Sequence, residues 1–407
     1  MKSLKEIYKI GPGPSSSHTL AVQRACLLYL EHYPNVKSLK IELFASLAFT
    51  AEGHHTYSII EKCFPNQEVE ITSNTGKWRH PYATALDITG YDENGNKLQL
   101  WEVASVGGGT IKIIDHDFGF EDDIYPHTFF EDVKVHLKEN KQNLYDYVLE
   151  FEPDIENYMD AIVDQMLKTV QTGLSRTGLL PGRLKIGRVA GDLLMKAKHL
   201  NDKAESHKLL MMAYAYAASE ENAAGGICVT APTLGASGVL AALVYHYYHD
   251  LNYSKSQLIE GLCVGGIFAN IIKENATLAG SEGGCQAEIG SACAMASAMI
   301  SHLNGANIQT IEYAAEIGIE HHLGLTCDPI GGYVIIPCIE RNAVALLRSF
   351  DAALLSEQLS DIRKNKITFD SVVRTMNYTG KMIIPELRET SLGGLAKEVV
   401  FDSEDKL

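Results

Sequence analysis

The chain has 407 residues, 46% of them hydrophobic, and a formal net charge of −16. It can bury a large core and is longer than one core usually serves, so two domains are expected. The acid excess, with no basic run anywhere, argues against nucleic acid or an anionic membrane surface as partner.

The opening MKSLKEIYKIGPG is too polar for a signal-peptide core, so a cytoplasmic location is expected. The Gly/Pro turn GPGPSSSHT (11–19) leads into a helical stretch at 20–33, and 39–45 alternates as a strand. Residues 56–63 read as helix and 68–73 as strand. Segments 85–90 and 97–104 flank Asp92-Glu93-Asn94-Gly95-Asn96, a hairpin signal because Asn-Gly accepts positive φ. The stretch 110–115 closes the set, which predicts an α+β domain over residues 1–150. Residues 116–156 are acidic and aromatic and read as a connector with one helix near 128–150.

From about residue 156 the chain is rich in Ala, Leu, Met and Gly and strand signals almost vanish. A larger all-α domain is expected over 157–407, punctuated by the breaks LLPGR, AAGGI, TLGASG, LAGSEGG and DPIGGY. Its charge-free stretches, 222–249 and 289–311, are too interrupted by small and polar residues for membrane spans and read as buried helices.

Of eight cysteines, Cys285, Cys327 and Cys338 stand in Gly-rich settings, separated by 42 (327−285) and 11 (338−327) residues. In a long chain without secretory features, such a subset points to a metal or catalytic role, the others packing as small hydrophobes. Three thiolates without an obvious fourth suit a metal or cluster that keeps one position open. Cys293 lies eight residues after Cys285, about 12 Å along a continuing helix, and reads as a packing residue.

Other motifs admit two readings each. Ser15, Ser16, Ser17, His18 and Thr19 put hydroxyls and an imidazole before a helix, which suits a bound carboxylate or phosphate but also an ordinary N-cap. AEGHHTY sets His54 and His55 after a glycine, as a surface pair would also stand. His80, in WRHPYATALD, has no force alone, and the glycines of SVGGGT, Gly108 among them, fit a tight turn as well as a close approach to ligand.

Together, GPSSSHT (13–19), SLAFTAEGH (46–54), SVGGG (105–109), LLPGRLK (179–185) and ENAAGGICVTAPTLGASG (221–238) carry a resemblance over nearly the whole chain. GCQAEIGSACAMA (284–296), CDPIGGYVIIPCIERNA (327–343) and ETSLGGLA (389–396) complete it. The chain resembles the iron–sulfur L-serine dehydratase (L-serine ammonia-lyase) family in its single-chain form. The resemblance implies a [4Fe–4S] cluster on Cys285, Cys327 and Cys338, whose open iron acts as Lewis acid for the β-hydroxyl of a small amino acid. It implies deamination of L-serine to pyruvate and ammonia, with His54 as the base for the Cα proton. Ser15–Ser17, His18 and Thr19 would anchor the substrate, His80 and the Gly108 backbone would complete the pocket, and the site would lie between the domains of a homodimer.

The sequence departs from that pattern after His54, where His-Thr-Tyr replaces Gly-Thr-Asp; His55 is then a reserve base and a carboxylate is lost at Tyr57. Threonine as substrate stays open. A pyridoxal-phosphate dehydratase would need a Schiff-base lysine, with Lys185 and Lys273 in unconvincing settings. A non-catalytic amino-acid-binding protein with structural zinc would want four closed ligands, and an electron-transfer cluster four cysteines.

Overall fold

The computed structural model describes residues 1–116 and 123–399; residues 117–122 of the expected connector lie outside the described part. After a short strand β1 (Ile10–Pro12) the chain forms α1 (Ala21–His32), β2 (Ser38–Ala45), α2 (Ser46–Thr50), α3 (Thr56–Cys63) and β3 (Glu68–Asn74). Then come β4 (Thr84–Tyr91), β5 (Trp101–Ser105) and β6 (Ile111–Ile113). The last five strands make one sheet in the order β3-β2-β4-β5-β6. β2 runs parallel to β3, with Leu39 opposite Val69, and antiparallel to β4, with Ile41 opposite Ile88.

The alternation read in 39–45 sends Leu39, Ile41 and Leu43 to one face, where α1 and α3 cover them. Tyr29 of α1 packs edge-on against Trp101 at 4.9 Å, and its hydroxyl accepts from the Gly90 N–H at 2.8 Å. The Asn94-Gly95 turn forms with φ +77° at Gly95. The strand after it begins at Trp101 rather than 97, a single bridge joining Tyr91 to Lys97.

The rest is helical: α4 (Phe130–Asn140), α5 (Leu144–Phe151), α6 (Ile155–Ser175), α7 (Ala190–His199) and α8 (Lys203–Ala223). The strand β7 (Ile227–Val229) precedes α9 (Ser237–His249), α10 (Lys255–Asn275), α11 (Gly280–Gly283), α12 (Ser291–Leu303) and α13 (Ile308–Glu320). α14 (Cys338–Ser360), α15 (Phe369–Met382) and α16 (Leu395–Glu398) follow. Where one helix was expected near 128–150 there are two. Lys141 takes φ +54°, and Asn143 starts the second helix in a capping box with Asp146.

α10 and α12 cross closely at the centre, where a Cβ on Gly265 would lie 2.8 Å from the Met295 carbonyl oxygen. No helix of the described residues is long and apolar enough to cross a membrane.

The cores do not divide at residue 150. The sheet core runs from Ala21 to Ile113, whereas Met1, Leu4, Ile7 and Tyr8, and later Phe130, Val133, Leu144 and Tyr147, belong to the helical core. The cause is β1, which pairs antiparallel with β7 (Ile10 opposite Val229) and draws the first residues into the helical half.

A buried polar cluster joins the halves. Glu6 lies 3.0 Å from Lys9, 3.5 Å from Arg24 and 3.6 Å from Lys273, and accepts from the Thr110 hydroxyl at 2.7 Å. Burial would raise the Glu6 pKa, but these cations hold it at about 2; burial and Lys273 bring Lys9 down to about 7.

Candidate active site

The segment 13–20 is anchored from both halves. Gly13 abuts α8 so tightly that a Cβ would fall 2.2 Å from the Asn222 carbonyl oxygen, and the Asn222 amide donates to Pro14 O at 2.8 Å. Ser15 caps the wide turn Ser16–Leu20, its Oγ accepting from His18 N–H at 3.3 Å. Ser16 Oγ accepts from Leu234 N–H at 2.8 Å, and Thr19 Oγ1 donates to Pro12 O at 2.7 Å. Ser15, Ser16, Ser17, His18 and Thr19 are all buried.

His18 and His54 are fully buried and stack, ring centroids 4.2 Å apart. Beside both rings lies Glu389, whose Oε1 is 3.6 Å from His18 Nδ1 and 3.7 Å from His54 Nε2. The hydrogen-bond network assigns the tautomers. Ser46 Oγ donates to Glu389 O at 2.7 Å, so it accepts from His18 Nε2 at 3.1 Å, and His18 Nδ1 faces Ser15 Oγ at 3.1 Å. Burial first, then His54, pushes the His18 pKa down to about 3, so this imidazole is neutral. His54 Nδ1 lies 3.2 Å from Thr50 O, a carbonyl that can only accept, which leaves the proton on Nδ1 and a lone pair on Nε2. That Nε2 is buried without a hydrogen-bond partner, as is Glu389 Oε2. Burial would raise the Glu389 pKa, but the two imidazoles lower it.

Glu389 also ties this pair to the cysteines, its N–H donating to Cys327 O at 2.5 Å. Cys285, Cys327 and Glu288 bring donor atoms within 4.8 Å of one another. Cys338 opens α14, an electropositive helix end suited to a metal-bound thiolate. Its electrostatic neighbours are Cys285, Arg341, Glu288 and Glu389. A hydrogen bond from the Cys327 thiol, then Arg341, outweighs burial and lowers the Cys285 pKa to about 7; burial and Cys285 push Cys338 up. A Cβ at Gly280 would sit 3.2 Å from Cys327 Sγ, so a glycine keeps the space beside the sulfur open. Cys338 is not within 4.8 Å of all of the Cys285, Cys327 and Glu288 group, but the two close thiols, a third nearby and the Arg341 guanidinium are a donor set whose chemistry fits an iron–sulfur cluster. Cys293 is buried in α12 with Sγ 4.0 Å from Ser297 Oγ, in a packing position.

The structure brings His18, His54 and the Ser15–Thr19 turn together and places the cysteine trio beside them. His55 is apart: it heads α3 at φ +59°, its ring near the Ala223 backbone. His80 stands in the wall of a groove of about 600 Å³ that also touches Ser46, Ser281, Arg388 and Thr390; its Nε2 is 3.3 Å from Glu102. Gly108 is not brought to the histidines. Its carbonyl accepts from Lys9 at 3.1 Å, within the polar cluster around Glu6. Lys273, the rival Schiff-base residue, donates to Thr110 Oγ1 at 3.0 Å in the same cluster.

Glu389, Glu288, Arg341 and Ser46 are site residues that the sequence reading did not single out. All four lie within the motifs named above, where nothing local marks them.

A fold with an α+β part docked on a helical body, and a site that joins a histidine pair to a thiol cluster, defines a metal-supporting enzyme class. The comparisons give the family. Residues 54–396 match the serine dehydratase alpha chain and residues 3–63 the serine dehydratase beta chain, so the chain belongs to the serine dehydratase family, both parts fused in one polypeptide. It is 32% identical to an L-serine dehydratase of Streptomyces coelicolor, covering 98% of this chain and 99% of that one. It is also 32% identical to an L-serine dehydratase of Haemophilus influenzae (98% and 100% covered) and 31% identical to L-serine dehydratase 2 of Escherichia coli (98% and 99%).

Proposed function

We propose that this protein is an iron–sulfur L-serine ammonia-lyase that converts L-serine to pyruvate and ammonia by β-elimination. The observation that carries the reading is His54: a buried imidazole with its Nδ1 proton committed to Thr50 O and a partnerless Nε2, beside a carboxylate bonded through its own backbone to Cys327. The relatives named L-serine dehydratase support the substrate. Cys285, Cys327 and Cys338 would hold the cluster, which when bound supplies a Lewis-acidic iron for the departing hydroxyl.

The chain's own residues do the rest. His54 Nε2 takes the Cα proton, and Thr50 O holds the ring so that no rotation is needed first. The imidazolium then has its new N–H on the side of Glu389 Oε1, whose charge stabilises it. His18 is held neutral by burial and fixes the stacked ring without competing for the proton. The Ser15–Ser17 turn presents hydroxyls and N–H groups where a carboxylate can be held. The aminoacrylate, once released, tautomerises and hydrolyses unaided.

His54→Asn tests the assignment. With the cluster's visible absorbance retained, pyruvate formation should fall by about 10²–10⁴. Full turnover in that variant would remove His54 from the role.

A further inference from the structure

Glu288 has no part in the chemistry above, yet its carboxylate lies among the thiols. Its oxygen, Cys285 Sγ and Cys327 Sγ are mutually within 4.8 Å. It stands on the wide, π-helical turn Gln286–Gly290 directly after Cys285, and such turns commonly re-aim a side chain at a functional site. Two glycines face it: a Cβ at Gly235 would lie 3.1 Å from Glu288 Oε1, and one at Gly280 would lie 2.8 Å from Oε2. Its charged surroundings are Glu389 and Cys285, countered by Arg341. A partly buried carboxylate gathered with two thiols and near a second carboxylate is costly unless a cation lies between them. Iron accepts carboxylate oxygen, and a hard oxygen donor among soft sulfurs is the ligand most readily exchanged.

We propose that Glu288 is the fourth protein ligand of the cluster, capping with a carboxylate oxygen the iron that no cysteine holds and yielding that position to the substrate. This rests on the iron–sulfur reading given above. Nothing is oxidised or reduced in the exchange: one iron–oxygen bond is replaced by another, and the freed carboxylate remains in the pocket.

The test uses full-length protein made anaerobically with glutamate carrying ¹³C at the side-chain carboxyl. Iron and sulfide are counted, the cluster is reduced with dithionite, and electron–nuclear double resonance is recorded. The proposal expects a ¹³C coupling from a bound carboxylate that disappears in Glu288→Ala and on addition of L-serine. A coupling that survives in Glu288→Ala would come from another carboxylate, such as Glu389, and would overturn the proposal. So would a protein with full iron and sulfide content and no coupling in the unsubstituted chain. An iron-free protein would overturn the iron–sulfur reading itself, a separate result of the metal count. Should Glu288→Ala fail to assemble a cluster, the labelled Glu389→Ala protein decides instead: the coupling should persist there, and its loss would overturn the proposal.

Discussion

At the residue scale, Glu389 is the group that links the histidine pair to the cysteine turn. The carboxylate that faces His54 lies 335 positions downstream of it (389−54), and it reaches both His18 and His54. Glu389→Gln keeps the shape and removes the charge. Turnover should fall with little change in KM, because the imidazolium forms only as the proton moves. Full kcat in Glu389→Gln would show that the carboxylate only packs. The histidines and cysteines were legible in the sequence because their motifs are local and their chemistry narrow. Glu389 and Glu288 were not, because a carboxylate acquires its meaning from what the fold sets beside it.

At the scale of elements, the site is made by two turns in contact. Gly53, just before His54, lies against the turn between Cys327 and Cys338: a Cβ there would be 2.6 Å from Gly332 C and O. Gly53→Ala should displace the histidine from the cysteine turn. A shift of about 1 Å at a reacting group can cost about 10²-fold in rate, and steady-state kinetics on the cluster-loaded variant would measure it. Unchanged kinetics would mean that the turns can separate without moving the base. The helix and strand positions around these turns could be read from periodicity: the expected 56–63 helix forms as Thr56–Cys63, and β2 keeps its alternation. The break at Lys141 was missed because the αL residue there is a lysine, which carries no turn signal, although the Asn143 and Asp146 pair did. The partition of cores was missed because β1 has three residues and its partner β7 lies more than 200 positions away (229−10 = 219).

For the whole molecule, two buried polar groups hold the halves together. Glu6→Gln would leave Lys9, Arg24 and Lys273 facing one another without their anion. A broken buried ion network of this kind costs about 3–5 kcal/mol, readable as a lower urea midpoint. A change within error would mean that the cluster is solvated rather than structural.

The second group makes stability depend on pH. His18 is held below its ordinary pKa of 6.5, at about 3, so the unfolded chain binds its proton first. Its contribution is complete above about pH 6.5 and is lost as the pH falls from there towards 3. The depressed Glu389 adds a loss of the same sign below the ordinary carboxylate range of 4.5. Thermal unfolding of the protein should therefore shift downward between pH 7 and pH 5, and less so in His18→Asn. An equal shift in both would assign the effect elsewhere.

The central claim is that a thiolate-held cluster and the His54 base act on one small amino acid. Its most direct test is anaerobic purification followed by iron and sulfide counting and a pyruvate assay with L-serine on the same sample. The expected result is one cluster per chain and pyruvate production that disappears when the iron is chelated and returns on reconstitution. Full deamination of L-serine by iron-free protein would contradict it.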